Sequence, residues 1–321
     1  MALDDKEMLE MLTPEYRAHV KWLRAQGWPP LDRHTVPDAR ARMRQMQNGD
    51  VTGYRVSVER HTIDEFSVQI VKPSSVEGPL PAVVYYHGGG WVLGGWDTHR
   101  RMACEIAVQS RAAVVFVEYA CAPEERYPIP LEQCYRALTW VAGQGSAAGL
   151  DATRIAVAGD SAGGNLATAV SMLAAQRGGP QICLQALLYP VTDCDFNTTS
   201  YRDFESGLNL DTRAMRWFWN HYAPDGAVRV EPLAAPLRAS LDALNGLPPA
   251  LVITAECDVL RDEGEAYARK LATAGVAVTA VRFSGVLHGF MAMDQLAKER
   301  QATSAMRLLA TELRQAFSTT L

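Results

Sequence analysis

The sequence lacks any apolar run that approaches the about 20 consecutive residues needed for a membrane-spanning helix. Its first seven residues are largely acidic and contain no apolar stretch of the signal-peptide type. Positive charge is scarce as well, since 31 lysine and arginine residues stand against 36 acidic ones, a net charge of −5. No basic field is therefore available to attract nucleic acid. We expect a cytoplasmic protein that neither inserts into membranes nor binds nucleic acid.

Residue spacings typical of metal sites are also missing. The seven histidines show no HExxH pattern and the cysteines form no CxxC pair, so we predict no metal site. In a chain without an export signal, cysteines are expected to be reduced and mostly buried. The six cysteines are Cys104, Cys121, Cys134, Cys183, Cys194 and Cys257.

The order of the predicted elements indicates an α/β fold. Residues 1–50 are expected to be helical, with Thr13 and Pro14 starting one helix and a second helix near Pro37–Asn48. Tyr54–Arg60 and Phe66–Lys72 then predict an antiparallel pair of strands. Short apolar runs follow and alternate with helical stretches, as in a doubly wound, mostly parallel sheet flanked by helices. The predicted runs are Ala82–Tyr86, Ala112–Val117, Ile155–Ala158, Leu184–Leu188, Leu251–Thr254 and Val276–Val281, and the predicted helices are Thr98–Ser110, Pro130–Ala142, Ser161–Gln176 and Asp262–Ala274.

One segment interrupts this alternation. Phe196–His221 lies between two predicted strands and contains Trp217, Phe218 and Trp219 in a helical stretch that begins near Asp211. An insertion at this place is typical of a lid over an active site. The alternative is a surface crossover helix with buried aromatic side chains.

The sequence GDSAG at residues 159–163 matches the nucleophile elbow GxSxG. A predicted strand precedes Ser161 and a predicted helix follows it, which is the context that this motif requires. Chymotrypsin-like proteases also place their serine after Gly-Asp, but they are β-barrels whose triad runs His, Asp, Ser along the chain. The α/β surroundings exclude that reading and favour Ser161 as a nucleophile.

The sequence HGGGW at residues 87–91 follows another predicted strand and is expected to supply the oxyanion hole. Residues without side chains let backbone N–H groups approach a developing oxyanion closely. We predict Gly88 and Gly89 as donors, with the N–H of Ala162 completing the hole. His87 is expected to support this loop and not to carry a proton.

The triad acid and base should follow the serine along the chain. Four carboxylates after the strand Leu251–Thr254 compete for the acid, namely Glu256, Asp258, Asp262 and Glu263. Asp262 and Glu263 are expected to cap and open the next helix. Asp258, in the loop after the strand, is our first choice and Glu256 the second. His288 is the only histidine beyond Asp258, which makes it the predicted base.

With these motifs in order, the chain resembles the hormone-sensitive-lipase-like carboxylesterases of the α/β-hydrolase superfamily, which include the bacterial family IV esterases. The resemblance covers nearly the whole chain, and Glu118–Glu124 also matches a family segment. Val259 departs from the proline that often follows the acid, and Ala120 and Cys121 replace Arg-Leu. The family's fold implies that residues 1–50 and 196–221 form a helical cap on a catalytic domain of residues 51–321.

The predicted function is a serine carboxylester hydrolase that uses no cofactor. Its partner would be a small-molecule ester with a short to medium acyl chain, with Trp91, Trp217 and Trp219 expected to line the pocket. A homodimer is left open. Amide, carbamate or lactone hydrolysis by the same residues is the alternative within enzymes. A non-catalytic receptor, as in the gibberellin receptors that resemble this family but lack the triad histidine, is disfavoured by His288.

Overall fold

The computed structural model describes residues 3–47, 49–205 and 208–318, which form a sheet with helices on both faces. The eight strands of this described sheet are β1 (Val56–Ile63), β2 (Phe66–Pro73), β3 (Leu80–Tyr86), β4 (Ala113–Glu118), β5 (Leu150–Asp160), β6 (Leu184–Leu188), β7 (Ala250–Cys257) and β8 (Val278–Leu287). The α-helices are α1 (Asp5–Met11), α2 (Pro14–Ala25), α3 (Val36–Met46), α4 (Trp96–Ser110), α5 (Ile129–Gln144), α6 (Ala162–Arg177), α7 (Thr199–Asp203), α8 (Thr212–Tyr222), α9 (Gly226–Arg229), α10 (Leu241–Leu244), α11 (Arg261–Thr273) and α12 (Arg300–Ser318).

The strand order is β1-β2-β4-β3-β5-β6-β7-β8, and the predicted mostly parallel sheet is confirmed. Strand β2 pairs antiparallel with β1 and β4, whereas the pairs from β4 to β8 are parallel. All seven residues of β3 are buried, which is why this strand appears in the sequence as a continuous apolar run. The carboxyl ends of the parallel strands meet at one edge, where ligand sites of open α/β sheets lie.

The largest differences from the predicted elements lie at the end of the chain. Strand β8 begins at Val278, because Val276 still closes the preceding helix by donating its N–H to the carbonyl of Leu271. It continues to Leu287 as an edge strand, beyond the predicted end at Val281, because the exposed polar residues Arg282 and Ser284 interrupt the apolar run. Helix α12 was not predicted and packs on α4.

The N-terminal segment (residues 1–50) contains helices α1 to α3. Thr13 is the N-cap residue of α2 and Pro14 its first residue, as the sequence indicates, although the Thr13 side chain makes no capping hydrogen bond. The second predicted helix is α3, which Thr35 caps by accepting the N–H of Asp38. Its predicted end, Asn48, lies outside the described residues.

The inserted segment (residues 196–221) contains α7 and most of α8, and Asp211 caps α8 by accepting the N–H of Ala214. Helix α8 contacts residues 31–33 of the N-terminal segment. The two parts assigned to a cap therefore touch each other, while the cap itself stays a prediction. Within the described ranges, no helix combines the length and the apolar character needed to cross a membrane.

Candidate active site

Ser161 occupies the tight turn between β5 and α6. Its backbone has φ 57° and ψ −119°, a conformation that L-residues rarely adopt and that is found at strained functional positions. A Cβ at Gly159 would lie 2.2 Å from the carbonyl oxygen of Gly163, and one at Gly163 would lie 1.9 Å from that of Tyr86. Both positions therefore require glycine, which explains the motif in steric terms.

Ser161, His288 and Asp258 form a chain of hydrogen bonds at the carboxyl edge of the sheet. His288 Nε2 lies 2.9 Å from Ser161 Oγ, and His288 Nδ1 lies 2.7 Å from Asp258 Oδ2. In the tautomer with the proton on Nδ1, His288 donates to Asp258 and presents the lone pair of Nε2 to the serine hydroxyl. All three residues are buried. The structure thus brings together the three side chains that the sequence selected.

The four competing carboxylates have separate partners. The other oxygen of Asp258, Oδ1, accepts the N–H of Leu260 at 2.9 Å, which holds this side chain on the loop before α11. Glu256 accepts the N–H of Gly285 at 2.7 Å. Asp262 accepts the N–H of Ser200 at 2.7 Å, and Leu260 is the N-cap residue of α11. The prediction that Asp262 caps α11 is therefore wrong, because its carboxylate ties α11 to α7 instead.

Glu263 lies in the first turn of α11, as predicted, but it is buried. Its Oε1 accepts the N–H groups of Thr192 at 2.7 Å and of Asp193 at 3.1 Å. Burial raises the pKa of Glu263 well above its ordinary value, despite these two donors, and the nearby Asp193 and Asp258 raise it further. Glu263 therefore holds the chain just beyond β6, and its carboxyl keeps its proton to a higher pH than an exposed glutamate would.

As pH rises, the free energy of unfolding should fall less in Glu263→Gln than in the wild type. When the pKa of a carboxyl is higher in the folded state than in the unfolded chain, the unfolded chain releases the proton first as pH rises. The folded state therefore loses stability between the unfolded-state pKa and the folded-state pKa. Glutamine keeps an acceptor for both N–H groups and does not titrate. The free energy of unfolding, measured in urea from about pH 4 to about pH 8, should fall less with pH in the variant. Parallel curves would show that Glu263 is ionised in the folded protein.

The glycine loop (residues 87–91) lies beside the elbow. The N–H group of one of its predicted oxyanion donors, however, already has a hydrogen-bond acceptor. The N–H of Gly88 donates to Asp160 Oδ1 at 2.9 Å. The assignment of Gly88 as an oxyanion donor is therefore wrong. Among the described residues, no partner accepts the N–H groups of Gly89, Gly90 and Ala162. Gly89 and Ala162 remain available as predicted, and Gly90 is available in place of Gly88.

Asp160 is the residue beneath the loop that the sequence did not single out. It is buried, accepts the hydroxyl of Tyr85 at 2.6 Å as well as the N–H of Gly88, and has His99 Nε2 at 3.6 Å. Burial alone would raise the pKa of Asp160, but the His99 imidazole and these hydrogen bonds lower it below its ordinary value. Asp160 thus anchors the glycine loop to the strand that ends in the elbow. Its place beside Ser161 in the motif was the only sequence signal.

His87 supports the loop. Its ring stacks on Tyr119 with centroids 4.2 Å apart, and its Nδ1 lies 2.8 Å from the carbonyl oxygen of Gly88. Burial lowers the pKa of His87 to about 3, with the neighbouring His99 adding to the effect. The imidazole is therefore neutral, which fits a supporting role and not proton transfer.

The aromatic side chains expected around a substrate face different directions. Trp91 and Trp219 are completely enclosed, with Trp91 stacked on Tyr222 at 4.3 Å, so the prediction that they line substrate space is wrong. Trp217 packs against the His221 ring, with centroids 4.3 Å apart, and also meets the Phe218 ring edge to face at 5.3 Å. Phe218 instead covers Gly90, where an added Cβ would lie 2.1 Å from the Phe218 ring. That contact could not be read from the sequence.

The described part of the chain holds no group of three His, Cys, Asp or Glu side chains that could bind a metal ion. All six cysteines are free thiols. The absence of a cofactor stays a prediction.

Known proteins are similar to this chain in sequence and in fold. The sequence profile of a family described as having the alpha/beta hydrolase fold matches residues 83–292. Carboxylesterase NlhH of Mycobacterium tuberculosis is 39% identical over 262 residues, 80% of this chain and 82% of that protein. The ethyl acetate hydrolase of Pseudomonas putida is 41% identical over 235 residues, 72% of this chain and 73% of that protein. The crystal structure of a thermostable esterase from Pseudomonas putida, 43% identical, superposes with a TM-score of 0.93 over 95% of this chain and 98% of that one.

The sheet, the elbow and these matches define the chain as an α/β-hydrolase. Within that class it belongs to the hormone-sensitive-lipase-like carboxylesterases, as the resemblance of its motifs indicated. It is an enzyme of the carboxylesterase type.

Proposed function

We propose that the chain hydrolyses small carboxylic esters through an acyl-enzyme on Ser161. His288 Nε2, 2.9 Å from the hydroxyl, takes the proton as Ser161 Oγ attacks the ester carbonyl carbon. The protonated imidazole then gives that proton to the departing alkoxide. Asp258 fixes the tautomer of His288 and stabilises its positive charge. Water, deprotonated by His288, hydrolyses the acyl-enzyme and frees Ser161.

The oxyanion of each tetrahedral intermediate would be held by backbone N–H groups. Gly89, Gly90 and Ala162 have the unpaired donors for this, and Ala162 lies at the N-terminus of α6, where the helix dipole favours negative charge. Asp160 keeps the glycine loop in place through Gly88. A loop held in this way would present its donors without rearrangement, and such preorganisation is usually the largest single contribution to catalysis.

One observation carries the proposal: the hydrogen-bonded series of Ser161, His288 and Asp258 at the edge of the sheet. The same series favours an enzyme over a receptor, since a receptor has no need of a base aligned on the serine. Amide, carbamate and lactone hydrolysis would use the same groups and differ in the leaving group. The curated relatives are named for esters, which favours ester hydrolysis here.

The proposal is tested with a panel of p-nitrophenyl esters, anilides, carbamates and lactones of matched acyl size. We expect the highest kcat/KM for the esters. A higher kcat/KM for an amide or a lactone would replace the ester assignment while leaving the triad intact.

We further propose that residues 1–50 and 196–221 form a cap that limits the acyl chain. Phe218 lies on Gly90, one of the proposed oxyanion donors, and Asn209 Nδ2 donates to the carbonyl of His288 at 3.2 Å. An inserted segment that touches both sides of the site would enclose a ligand and offer no open groove to a lipid surface.

The wild-type enzyme should prefer acyl chains of about four to eight carbons, since each methylene adds about 0.8 kcal/mol only while it finds an apolar wall. Phe218→Ala should move the optimum to longer chains by emptying the space over Gly90. Trp217→Ala should move it less, because the atoms nearest to a Cβ at Gly90 belong to Phe218 and Trp217 only meets the edge of that ring. The measurement is kcat/KM from acetate to palmitate. A wild-type maximum at twelve carbons or more would contradict a closed pocket, and a shift in Trp217→Ala alone would make Trp217 the lining residue.

A further inference from the structure

Helix α3 is hydrogen-bonded to both loops that carry the proposed chemistry. From the N-terminal half of the helix, Arg40 Nε donates to the carbonyl of Val92 at 2.8 Å, and Arg40 Nη2 donates to that of Ala122 at 3.0 Å. Val92 directly follows the glycine loop. At the other end, Gln47, the C-cap residue of α3, reaches the loop that follows His288. One short helix of the N-terminal segment thus connects the chain next to the proposed oxyanion hole with the loop that follows His288.

Gln47 uses both ends of its amide on this loop. Its Nε2 donates to the carbonyl of Ala292 at 2.8 Å, and its Oε1 accepts the N–H of Asp294 at 2.9 Å. The side chain is buried, with 6% of the residue exposed. Removing it would leave the buried carbonyl of Ala292 and the part-buried N–H of Asp294 without these partners, which would destabilise the loop in its present position. The pairing is therefore specific for one placement of residues 292–294.

Other hydrogen bonds anchor the chain both before and after His288. The N–H of Thr13 donates to the carbonyl of Gly285 at 2.9 Å, three residues before His288. Arg101 of α4 adds bonds to the carbonyl of Met291 and to Asp294 Oδ1, both at 2.7 Å. His288 thus lies between two anchored stretches of chain. Its distance from Ser161, on the rigid elbow, depends on where these anchors set the loop.

We propose that Gln47 is a positioning residue for His288. It does not touch the reacting atoms. It fixes the backbone beyond His288 so that the imidazole stays within proton-transfer distance of Ser161 and in line with Asp258. This proposal rests on the proposed function, in which His288 is the base. It gives the N-terminal segment a part in the chemical step besides any part in enclosing substrate.

The test is Gln47→Met, which keeps the length and volume of the side chain and removes both hydrogen bonds. We expect kcat to fall about ten- to a hundredfold, as small displacements of catalytic groups do, with little change in KM. Thr35→Ala is the matched control, because it removes the N-cap of the same helix and none of the bonds to the histidine loop. The control should keep the wild-type kcat.

Active-site titration with a fluorophosphonate counts competent sites, so that kcat refers to folded enzyme. The downfield proton NMR signal of the hydrogen bond between His288 and Asp258 should shift or broaden in Gln47→Met and not in Thr35→Ala, a change that loss of stability alone would not cause. If Gln47→Met does not fold, Gln47→Glu, which cannot donate to Ala292, should also lower kcat.

The outcomes separate the two proposals. Ser161-dependent activity in the wild type, combined with an unchanged kcat and NMR signal in the folded Gln47 variant, would overturn the positioning role alone. Equal losses in the Gln47 and Thr35 variants would also overturn it, since they would follow from a weakened helix. A wild-type enzyme without Ser161-dependent activity would overturn the proposed function first.

Discussion

Ser161→Ala and His288→Ala should each lower kcat for ester hydrolysis by about 10⁶-fold, because a nucleophile and its base act as one unit. Without Oγ there is nothing to acylate, and without His288 Nε2, 2.9 Å away, nothing removes the hydroxyl proton. The double variant should be no slower than either single one, since each change already disables the unit. Initial rates with p-nitrophenyl butyrate give the measurement.

Both variants should fold, because each replacement removes side-chain atoms without adding bulk to the elbow. Far-ultraviolet circular dichroism and the unfolding midpoint provide the control. A kcat within tenfold of the wild type in either folded variant would mean that the chemistry uses another nucleophile or another base.

Asp258→Asn should lower kcat by about 10⁴-fold, the effect expected when an amide presents the wrong hydrogen-bonding partner to the histidine. In the wild type, Asp258 Oδ2 lies 2.7 Å from His288 Nδ1 and is placed to accept a hydrogen bond from its N–H group. An amide nitrogen at that position would favour the opposite tautomer and place a proton on Nε2, where the lone pair must face Ser161. The Michaelis constant should change little, since Asp258 touches no substrate in this mechanism.

Glu256→Gln is the matched control for this variant. Glu256 lies two residues away and its carboxylate accepts the N–H of Gly285, a bond that glutamine can keep. We expect its effect to be far smaller than that of Asp258→Asn. The opposite order would move the triad acid to Glu256.

The sequence was most informative where chemistry and backbone geometry lie within one short segment. The elbow was predictable because Gly159 and Gly163 stand where any side chain would collide with backbone. Buried strands such as β3 were predictable because both faces are covered and no polar residue interrupts them. His288 followed from chain order alone, as no other histidine lies beyond Asp258.

Contacts between distant segments were not predictable in the same way. Gly88 was a reasonable donor by sequence, yet Asp160, 72 residues away, accepts its N–H. Which of three successive aromatic residues covers Gly90 depends on the rotation of α8, and Phe218 does so while Trp219 packs against Trp91. The role of Gln47 was not predictable either, because its partners lie 245 and 247 positions further along the chain. The cap and a cytoplasmic location stay predictions, and a homodimer stays open.

The central claim is that Ser161 carries the acyl group during turnover. The most direct measurement is rapid acid quenching of the enzyme with excess p-nitrophenyl butyrate, followed by intact and peptide mass spectrometry. We expect one butyryl group per chain, located on Ser161, formed with the initial burst of p-nitrophenol and absent from Ser161→Ala. An acyl group on any other residue, or full turnover with unmodified Ser161 at every quench time while a burst is seen, would contradict it.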